Sequence, residues 1–191
     1  MKIILASQSP RRLEILEKHG YIPVTMPQDT GESLPDGIGM TDAVELLSSE
    51  KARACYESVR DDPRFDGHII IGADTIVWKD EILGKPADKA DAFRMLDKIR
   101  GTYHYVVTGV CLIDKDTGRE TVLSDVTKVH CTDYTDDQIN EYISREEPYD
   151  KAGSYAIQGY FGRYIDHIEG DYENVVGLPF YRIEEYLKAY R

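Results

Sequence analysis

Residues 2–12 read Lys-Ile-Ile-Leu-Ala-Ser-Gln-Ser-Pro-Arg-Arg, and this stretch sets the expectation for the fold. Its first part, residues 2–6, predicts a short buried strand because the apolar run is continuous and ends at polar residues. Ser9 is a favoured N-cap and Pro10 a favoured first helical residue, so a helix is predicted over residues 10–19. A strand that passes directly into a helix is typical of α/β proteins.

The same alternation continues along the chain. Residues 68–78 are rich in β-branched side chains and predict a strand, while residues 103–113 and 121–131 flank a turn-rich segment and predict a long hairpin. A further strand is expected near residues 22–26. Apolar residues at helical spacing, or capping patterns, predict helices after Thr41, over residues 92–99, after Thr135 and over residues 183–190.

These elements predict an α/β protein with a mixed, twisted sheet flanked by helices. No internal repeat, low-complexity tract or linker divides the sequence, so residues 1–191 are expected to form a single domain.

Composition narrows the possible partners. The chain carries 23 basic and 35 acidic residues, a formal net charge of -12, which repels nucleic acid and anionic membranes. No apolar stretch approaches the roughly 18 residues of a membrane span, and the first apolar run is too short for a signal peptide. The three cysteines, Cys55, Cys111 and Cys131, are widely spaced, so we expect reduced, mostly buried thiols and a cytoplasmic location.

The start of the first predicted helix is a candidate anion site. Arg11 and Arg12 fall in its first turn, where the helix dipole favours acidic residues. Such a local conflict is typical of functional sites, and a bound phosphate would resolve it. Free backbone N–H groups, the hydroxyls of Ser7 and Ser9 and a guanidinium would then converge on the phosphate. The alternative is a surface arginine pair that binds carboxylates.

Asp74 is the most informative acidic residue. It follows the apolar run of residues 69–71 in Gly72-Ala73-Asp74-Thr75, and an ionised carboxylate within a buried strand costs several kcal/mol unless it is paired or metal-bound. Asp74 is therefore expected to hold Mg²⁺ or to accept a proton from an attacking water. A structural aspartate at a turn is the alternative.

Two lysines lie beside small or rigid residues, Lys85 in Gly84-Lys85-Pro86 and Lys151 in Asp150-Lys151-Ala152-Gly153. Each motif alone is weak evidence for a ligand site. Together with Arg12, the two lysines indicate a site that binds a compact polyphosphate. The five histidines show no ligand spacing, which argues against zinc, and the common phosphate-loop, dinucleotide and serine-hydrolase motifs are missing.

Several longer motifs occur in a fixed order that resembles the Maf family of nucleoside triphosphate pyrophosphatases, once described as septum-formation inhibitors. They lie at residues 5–12, 72–75, 84–86, 108–110, 147–159 and 170–179. The resemblance implies a two-lobed α/β fold like that of inosine triphosphatase, with the substrate in the cleft between the lobes, and often a homodimer. It also implies hydrolysis of a nucleoside triphosphate to the monophosphate and pyrophosphate, with Mg²⁺ or Mn²⁺.

Carried over position by position, the resemblance implies that Asp74 is the catalytic acid/base and a metal ligand. Glu32 resembles the second acidic metal-site residue, although the family commonly has adjacent acids there and this chain reads Asp-Thr-Gly-Glu-Ser over residues 29–33. The phosphate-contacting set is Ser7, Ser9, Arg12, Lys51, Lys85 and Lys151.

The resemblance also implies that Arg12, Thr75 and Gln158 are involved in substrate choice. The residue types at these three positions are typical of the branch that acts on dTTP and UTP. Two alternatives stay open. One is the branch that prefers 7-methyl-GTP, and the other is a non-enzymatic, nucleotide-binding regulator of cell division.

Overall fold

The structure is a computed structural model that describes residues 2–31 and 33–189. These residues form seven strands and six α-helices. The strands are β1 (Lys2–Leu5), β2 (Val24–Thr25), β3 (His68–Trp78), β4 (Ile82–Leu83), β5 (Tyr103–Asp114), β6 (Glu120–Cys131) and β7 (Ile165–Glu169). The helices are α1 (Pro10–Lys18), α2 (Met40–Val59), α3 (Lys89–Ile99), α4 (Asp136–Ile143), α5 (Tyr172–Val176) and α6 (Phe180–Ala189).

All seven strands belong to one sheet, in the order β2-β1-β3-β5-β6-β7, with β4 paired to β3. β1 is parallel to both β2 and β3, whereas β3–β4 and β6–β7 are antiparallel. The predicted mixed α/β fold is therefore confirmed.

Most predicted elements are present with small shifts at their ends, and the predicted end of the last helix at residue 190 lies outside the described residues. β3 has the predicted bounds, and α4 begins with the predicted capping box between Thr135 and Gln138. Two boundaries were wrong. α2 begins at Met40 because Gly39 takes the N-cap position, and β2 is limited to two residues because only Val24 and Thr25 pair with β1 at the sheet edge.

The chain divides into two compact units. Unit 1 comprises residues 1–74, 108–125 and 177–191, and unit 2 comprises residues 75–107 and 126–176. β3, β5 and β6 each contain a boundary between the units. That residues 1–191 act as a single domain stays a prediction.

In unit 1, α2 packs closely against β3 and β5, and glycines permit this approach. A Cβ on Gly72 would lie 2.4 Å from the carbonyl oxygen of Ser48 and 2.6 Å from the backbone nitrogen of Ala52. A Cβ on Gly109 would lie 2.2 Å from the carbonyl oxygen of Val44. Neither distance is possible for a real side chain, so these two positions hold the backbone of α2 against the sheet.

Unit 2 has an aromatic core. The Phe161 ring is 1% exposed and lies 5.1–5.4 Å, between ring centroids, from four tyrosine rings. These rings belong to Tyr134, Tyr142, Tyr155 and Tyr164. Aromatic contacts of this kind add to the area that the rings bury, so they stabilise this unit.

Cys55, Cys111 and Cys131 are buried free thiols, as predicted. Burial raises the pKa of Cys55 to about 11 and of Cys131 to about 12, so both side chains stay neutral and serve as packing groups. Within the described residues, no helix combines the length and apolar character needed to cross a membrane.

Candidate active site

The register of two parallel strands brings the first predicted motif close to Asp74. Leu5, the last residue of β1, pairs with Ile71 of β3, and the next residue, Ala6, donates its backbone N–H to the Ile71 carbonyl at 2.8 Å. β1 ends at Leu5 while β3 continues in the same direction to Trp78, so residues 6–9 leave the sheet beside the part of β3 that follows Ile71. The segment of residues 6–9 and Asp74 consequently lie at the same edge of unit 1.

Ser9 occupies the predicted N-cap of α1, but its side chain makes no capping hydrogen bond. Its own backbone N–H donates instead to the Ser7 hydroxyl at 3.2 Å. The first turn contains no acidic residue, and Pro10 supplies no N–H. The Ser9 side chain therefore does not cap the N–H groups of the first turn. Uncapped N–H groups at a helix N-terminus are able to bind an anion.

Arg12 is held in place by two hydrogen bonds. Its Nη1 donates to the Ser7 hydroxyl at 3.0 Å and its Nε to the Gly177 carbonyl at 2.8 Å. Burial lowers the pKa of the Arg12 guanidinium, while the charge of Asp74 raises it and that of Arg11 lowers it. The influence of Asp74 on this pKa means that its carboxylate lies within electrostatic reach of the guanidinium.

Asp74 forms an ion pair with Lys51. The Lys51 ammonium, on α2, donates to Oδ1 of Asp74, and the two side chains are 14% and 12% exposed. Lys51 reaches the carboxylate because Gly72 lets α2 approach β3 so closely. The Lys51 ammonium compensates the charge of Asp74. This carboxylate therefore avoids the energetic cost that an unpaired carboxylate in a buried strand would carry.

Three cations and one carboxylate are described close together at this edge of unit 1. Arg11, Arg12 and Lys51 are three cations, and Asp74 is the carboxylate that acts on two of them, in a chain of net charge -12. Among the described residues, the buried Nε of Arg11 meets no hydrogen-bond acceptor. Several cations with an unpartnered donor suit a phosphate group.

In unit 2, the two lysine motifs adjoin. The Gly153 backbone N–H donates to the Gly84 carbonyl at 3.0 Å, which joins the segments that carry Lys85 and Lys151. Gly153 has φ of +67°, and a Cβ there would lie 2.9 Å from Val77, so glycine is required at this contact. Lys85 is exposed, whereas Lys151 is half-buried and donates to Asp150 at 2.5 Å.

The other predicted site residues are more scattered. Thr75 follows Asp74 in β3 and is half-buried, and Gln158 is exposed between two short 3₁₀ turns, Ala152–Ser154 and Tyr160–Tyr164. Glu32 lies outside the described residues, so its role stays a prediction. Sequence reasoning missed the Gly177 carbonyl that orients Arg12, although Gly177 is part of the motif at residues 170–179.

The implied Mg²⁺ or Mn²⁺ fits the one candidate ligand that the structure describes. Asp74 offers carboxylate oxygens, the donors that these hard cations prefer. The Lys51 ammonium already lies against that carboxylate, so a positive charge is accommodated there.

Comparison with known proteins identifies first the fold and then the family. The Ham1 protein of Staphylococcus aureus has a similar structure, with a TM-score of 0.58 over 100% of both chains and 13% sequence identity. The chain thus has the open mixed-sheet architecture of that protein. A family model described as Maf-like protein matches residues 2–190, and the chain belongs to the Maf family.

Curated relatives are similar over nearly their full length. A protein of Citrifermentans bemidjiense is 43% identical over 98% of this chain and 94% of its own. Proteins of Caldicellulosiruptor bescii and Acetivibrio thermocellus are each 40% identical, over 95% and 100% of this chain and 91% and 96% of their own. All three relatives are named dTTP/UTP pyrophosphatase.

Proposed function

We propose that this protein is a nucleoside triphosphate pyrophosphatase that hydrolyses dTTP and UTP to the monophosphate and pyrophosphate. The observation that carries the proposal is the arrangement at one edge of unit 1, where the Lys51–Asp74 pair lies within electrostatic reach of an anchored Arg12. The names of relatives about 40% identical to the chain support the substrate class.

In the proposed reaction, a water molecule attacks the α-phosphorus. The new bond joins the water oxygen to phosphorus, and the bond from phosphorus to the α–β bridging oxygen breaks. Pyrophosphate then leaves with the electron pair. Asp74 orients the water and accepts its proton, because a carboxylate in a largely buried position is a suitable general base. Positioning and charge stabilisation supply most of the catalysis in such reactions.

The phosphates are proposed to bind at the start of α1. Arg12 is positioned in advance by Ser7 and Gly177, so little conformational entropy is lost when it meets a phosphate. The N–H groups of the first turn and the hydroxyl of Ser9 add donors. Lys51, Lys85 and Lys151 complete the proposed phosphate-binding set.

We propose Mg²⁺ or Mn²⁺ as the cofactor, held by Asp74 and, as a second ligand, by Glu32. When bound, such a cation neutralises phosphate oxygens and lowers the pKa of a coordinated water. Lys51 would then exchange its contact with Asp74 for one with a phosphate oxygen.

Base selection is proposed to involve Arg12, Thr75 and Gln158. The Gln158 amide offers both donors and an acceptor, which matches the edge of a pyrimidine that displays both. Its exposure leaves that amide accessible to a nucleotide.

We also propose that the protein acts in the cytoplasm as a homodimer, without nucleic-acid or membrane partners. The net charge of -12 supports the exclusion of polyanions, and the buried free thiols agree with a reducing compartment.

The test is pyrophosphate release by the purified protein with Mg²⁺ or Mn²⁺ and dTTP, UTP, CTP, GTP, ATP or 7-methyl-GTP. We expect turnover of dTTP and UTP, and a decrease of about 100- to 10,000-fold in Asp74→Asn with nucleotide binding retained. Asp66→Asn is the matched control, because Asp66 also pairs with a lysine, Lys115, in unit 1.

Two results would contradict parts of the proposal. Turnover of 7-methyl-GTP alone would keep the reaction but overturn the base preference. Nucleotide binding without turnover of any of these substrates would overturn the enzymatic function and favour a nucleotide-binding regulator.

A further inference from the structure

The antiparallel pair of β6 and β7 brings together polar side chains that are distant in sequence. His130 on β6 pairs directly with His167 on β7, and Lys128 pairs with Glu169. Side chains two residues apart on a strand project from the same face. Since β7 is the last strand in the sheet order, one face of this edge presents two imidazoles, a carboxylate and an ammonium.

Three of these groups are close enough to share one ion. His130 Nε2 lies 2.7 Å from Glu169 Oε1, and the His130 and His167 rings are stacked with centroids 4.1 Å apart. One ligand atom from each of the three residues lies within 4.8 Å of the other two. No other group of three such residues with this spacing occurs within residues 2–31 and 33–189.

His167 is oriented by a carboxylate. A bulge shifts the strand pairing so that His130 pairs with His167 and Cys131 with Ile165, and Asp166 is skipped. The His167 Nδ1 donates to Oδ2 of the neighbouring Asp166 at 2.8 Å. A carboxylate at one ring nitrogen is the usual support of a metal-binding histidine, because it fixes the tautomer that presents the other nitrogen's lone pair.

We propose that His130, His167 and Glu169 form a binding site for a zinc-class transition-metal ion. Two imidazoles and one carboxylate are a common three-residue zinc ligand set, with water in the remaining position. Imidazole favours Zn²⁺, Ni²⁺ and Cu²⁺ over Mg²⁺ and Mn²⁺, so the expected ion differs from the one proposed at Asp74.

The ligand atoms must move closer together to bind a metal ion, and we expect side-chain rotation to achieve this. Tetrahedral Zn²⁺ with bonds of 2.0–2.1 Å places its ligand atoms about 3.4 Å apart. His167 and Glu169 are 53% and 57% exposed, so their side chains have room to close the remaining distance.

Lys128 is expected to weaken metal binding at this site. Its ammonium lies 3.2 Å from Glu169 Oε1 and also 4.4 Å from the centre of the Tyr103 ring. It therefore competes with a metal ion for the carboxylate, and binding must displace it toward Tyr103 or solvent. Removal of this charge is expected to tighten metal binding.

The experiment uses the full chain without any histidine tag, stripped of metal and kept in excess Mg²⁺ to saturate oxygen-ligand sites. Zn²⁺ is titrated in competition with a chromogenic chelator. We expect one Zn²⁺ per chain, with affinity at least 10-fold weaker in His167→Gln and in Glu169→Gln. Asp166→Asn is expected to weaken it by about 10- to 100-fold, and Lys128→Met to strengthen it.

Two variants are matched controls. His19→Gln removes a histidine from unit 1, and Asp74→Asn removes the proposed catalytic carboxylate; neither should change the Zn²⁺ affinity. In the unmodified protein, the ring ¹⁵N shifts of His130 and His167 should move together on addition of Zn²⁺. This readout does not depend on pyrophosphatase activity, so failure of the two proposals can be distinguished.

The proposal is overturned if the unmodified chain binds no stoichiometric Zn²⁺. It is equally overturned if binding is unaffected by both His167→Gln and Glu169→Gln, or is lost in Asp74→Asn.

Discussion

Lys51 and Asp74 form a largely buried ion pair between the middle of α2 and the segment of β3 that follows its pairing with β1. Both charges are shielded from water, so each depends on the other for compensation. The same carboxylate influences the pKa of Arg12. One contact thus links the packing of α2 to the electrostatics of the candidate active site.

The first prediction concerns Lys51→Met, which keeps the aliphatic stem and removes the ammonium. Asp74 would lose its direct ion-pair partner in a largely buried position and keep only the more distant charge of Arg12, so we expect a loss of about 3 kcal/mol in the free energy of unfolding. Urea denaturation measures this change. Arg53→Met is the control, because Arg53 lies on the same helix in an exposed pair with Glu120 and should cost under about 1 kcal/mol. Equal costs for the two variants would contradict the buried pairing.

The second prediction concerns Gly72→Ala. The added Cβ would lie within 3 Å of backbone atoms of α2, which cannot move independently of the helix. We expect a loss of about 3 kcal/mol in the free energy of unfolding and slower pyrophosphate release, because Lys51 moves with α2. Gly31→Ala is the control for stability, since a Cβ at Gly31 meets nothing within 4 Å. A fully stable Gly72→Ala protein would show that α2 does not pack as described.

The third prediction is a pH dependence of stability that arises from His104. Burial, and secondarily the charges of Lys79 and His130, lower the pKa of His104 to about 3, and its Nε2 lies 2.6 Å from the Tyr155 hydroxyl. The folded protein keeps this imidazole neutral, while the unfolded chain protonates it below about pH 6.5. The neutral, buried His104 therefore makes its full contribution to the free energy of unfolding above pH 6.5. This contribution is lost as the pH falls from 6.5 toward 3.

This loss amounts to about 1.4 kcal/mol per pH unit within that window. Urea denaturation from pH 7 to pH 4, with a chelator present, should show a shallower decline in His104→Gln than in the unmodified protein. His19→Gln controls for the removal of one exposed histidine, and because the His19 ring stacks on Phe180, the slopes with pH are compared and not the absolute free energies of unfolding. Identical slopes in His104→Gln and the unmodified protein would disprove the assignment.

The fourth prediction concerns Gln158→Ala. If the amide reads the pyrimidine edge, its removal should decrease the ratio of kcat/KM for UTP over GTP by about 10-fold or more, since a site that hydrogen-bonds its substrate discriminates strongly. The folded state should be unaffected because Gln158 is exposed. An unchanged ratio would remove Gln158 from base selection and leave Arg12 and Thr75.

Local patterns predicted much of the fold. The bounds of β3, the capping box of Thr135 and Gln138, and the N-cap position of Ser9 were all recognised because each depends on residues within a few positions of one another. β2 was predicted too long because propensity does not reveal how many residues an edge strand pairs.

The candidate site was predicted only in part. The motifs indicated Arg12, Asp74 and the lysines as residues of interest. The spacing of the histidines, by contrast, gave no sign of the cluster at His130 and His167, because ligand motifs are sought along the chain and these two residues meet across strands.

By itself, the sequence determined most of the longer helices and strands, the family and the types of residue available for chemistry, because these follow from local propensity and from motifs in order. Only the tertiary structure decided which of these residues meet. Strand register placed Ser7 and Asp74 at one edge of unit 1, two glycines allowed α2 to pack closely enough for Lys51 to reach Asp74, and the pairing of β6 with β7 placed His130 beside His167. Such contacts join distant parts of the chain, so they depend on how the packed elements fit together.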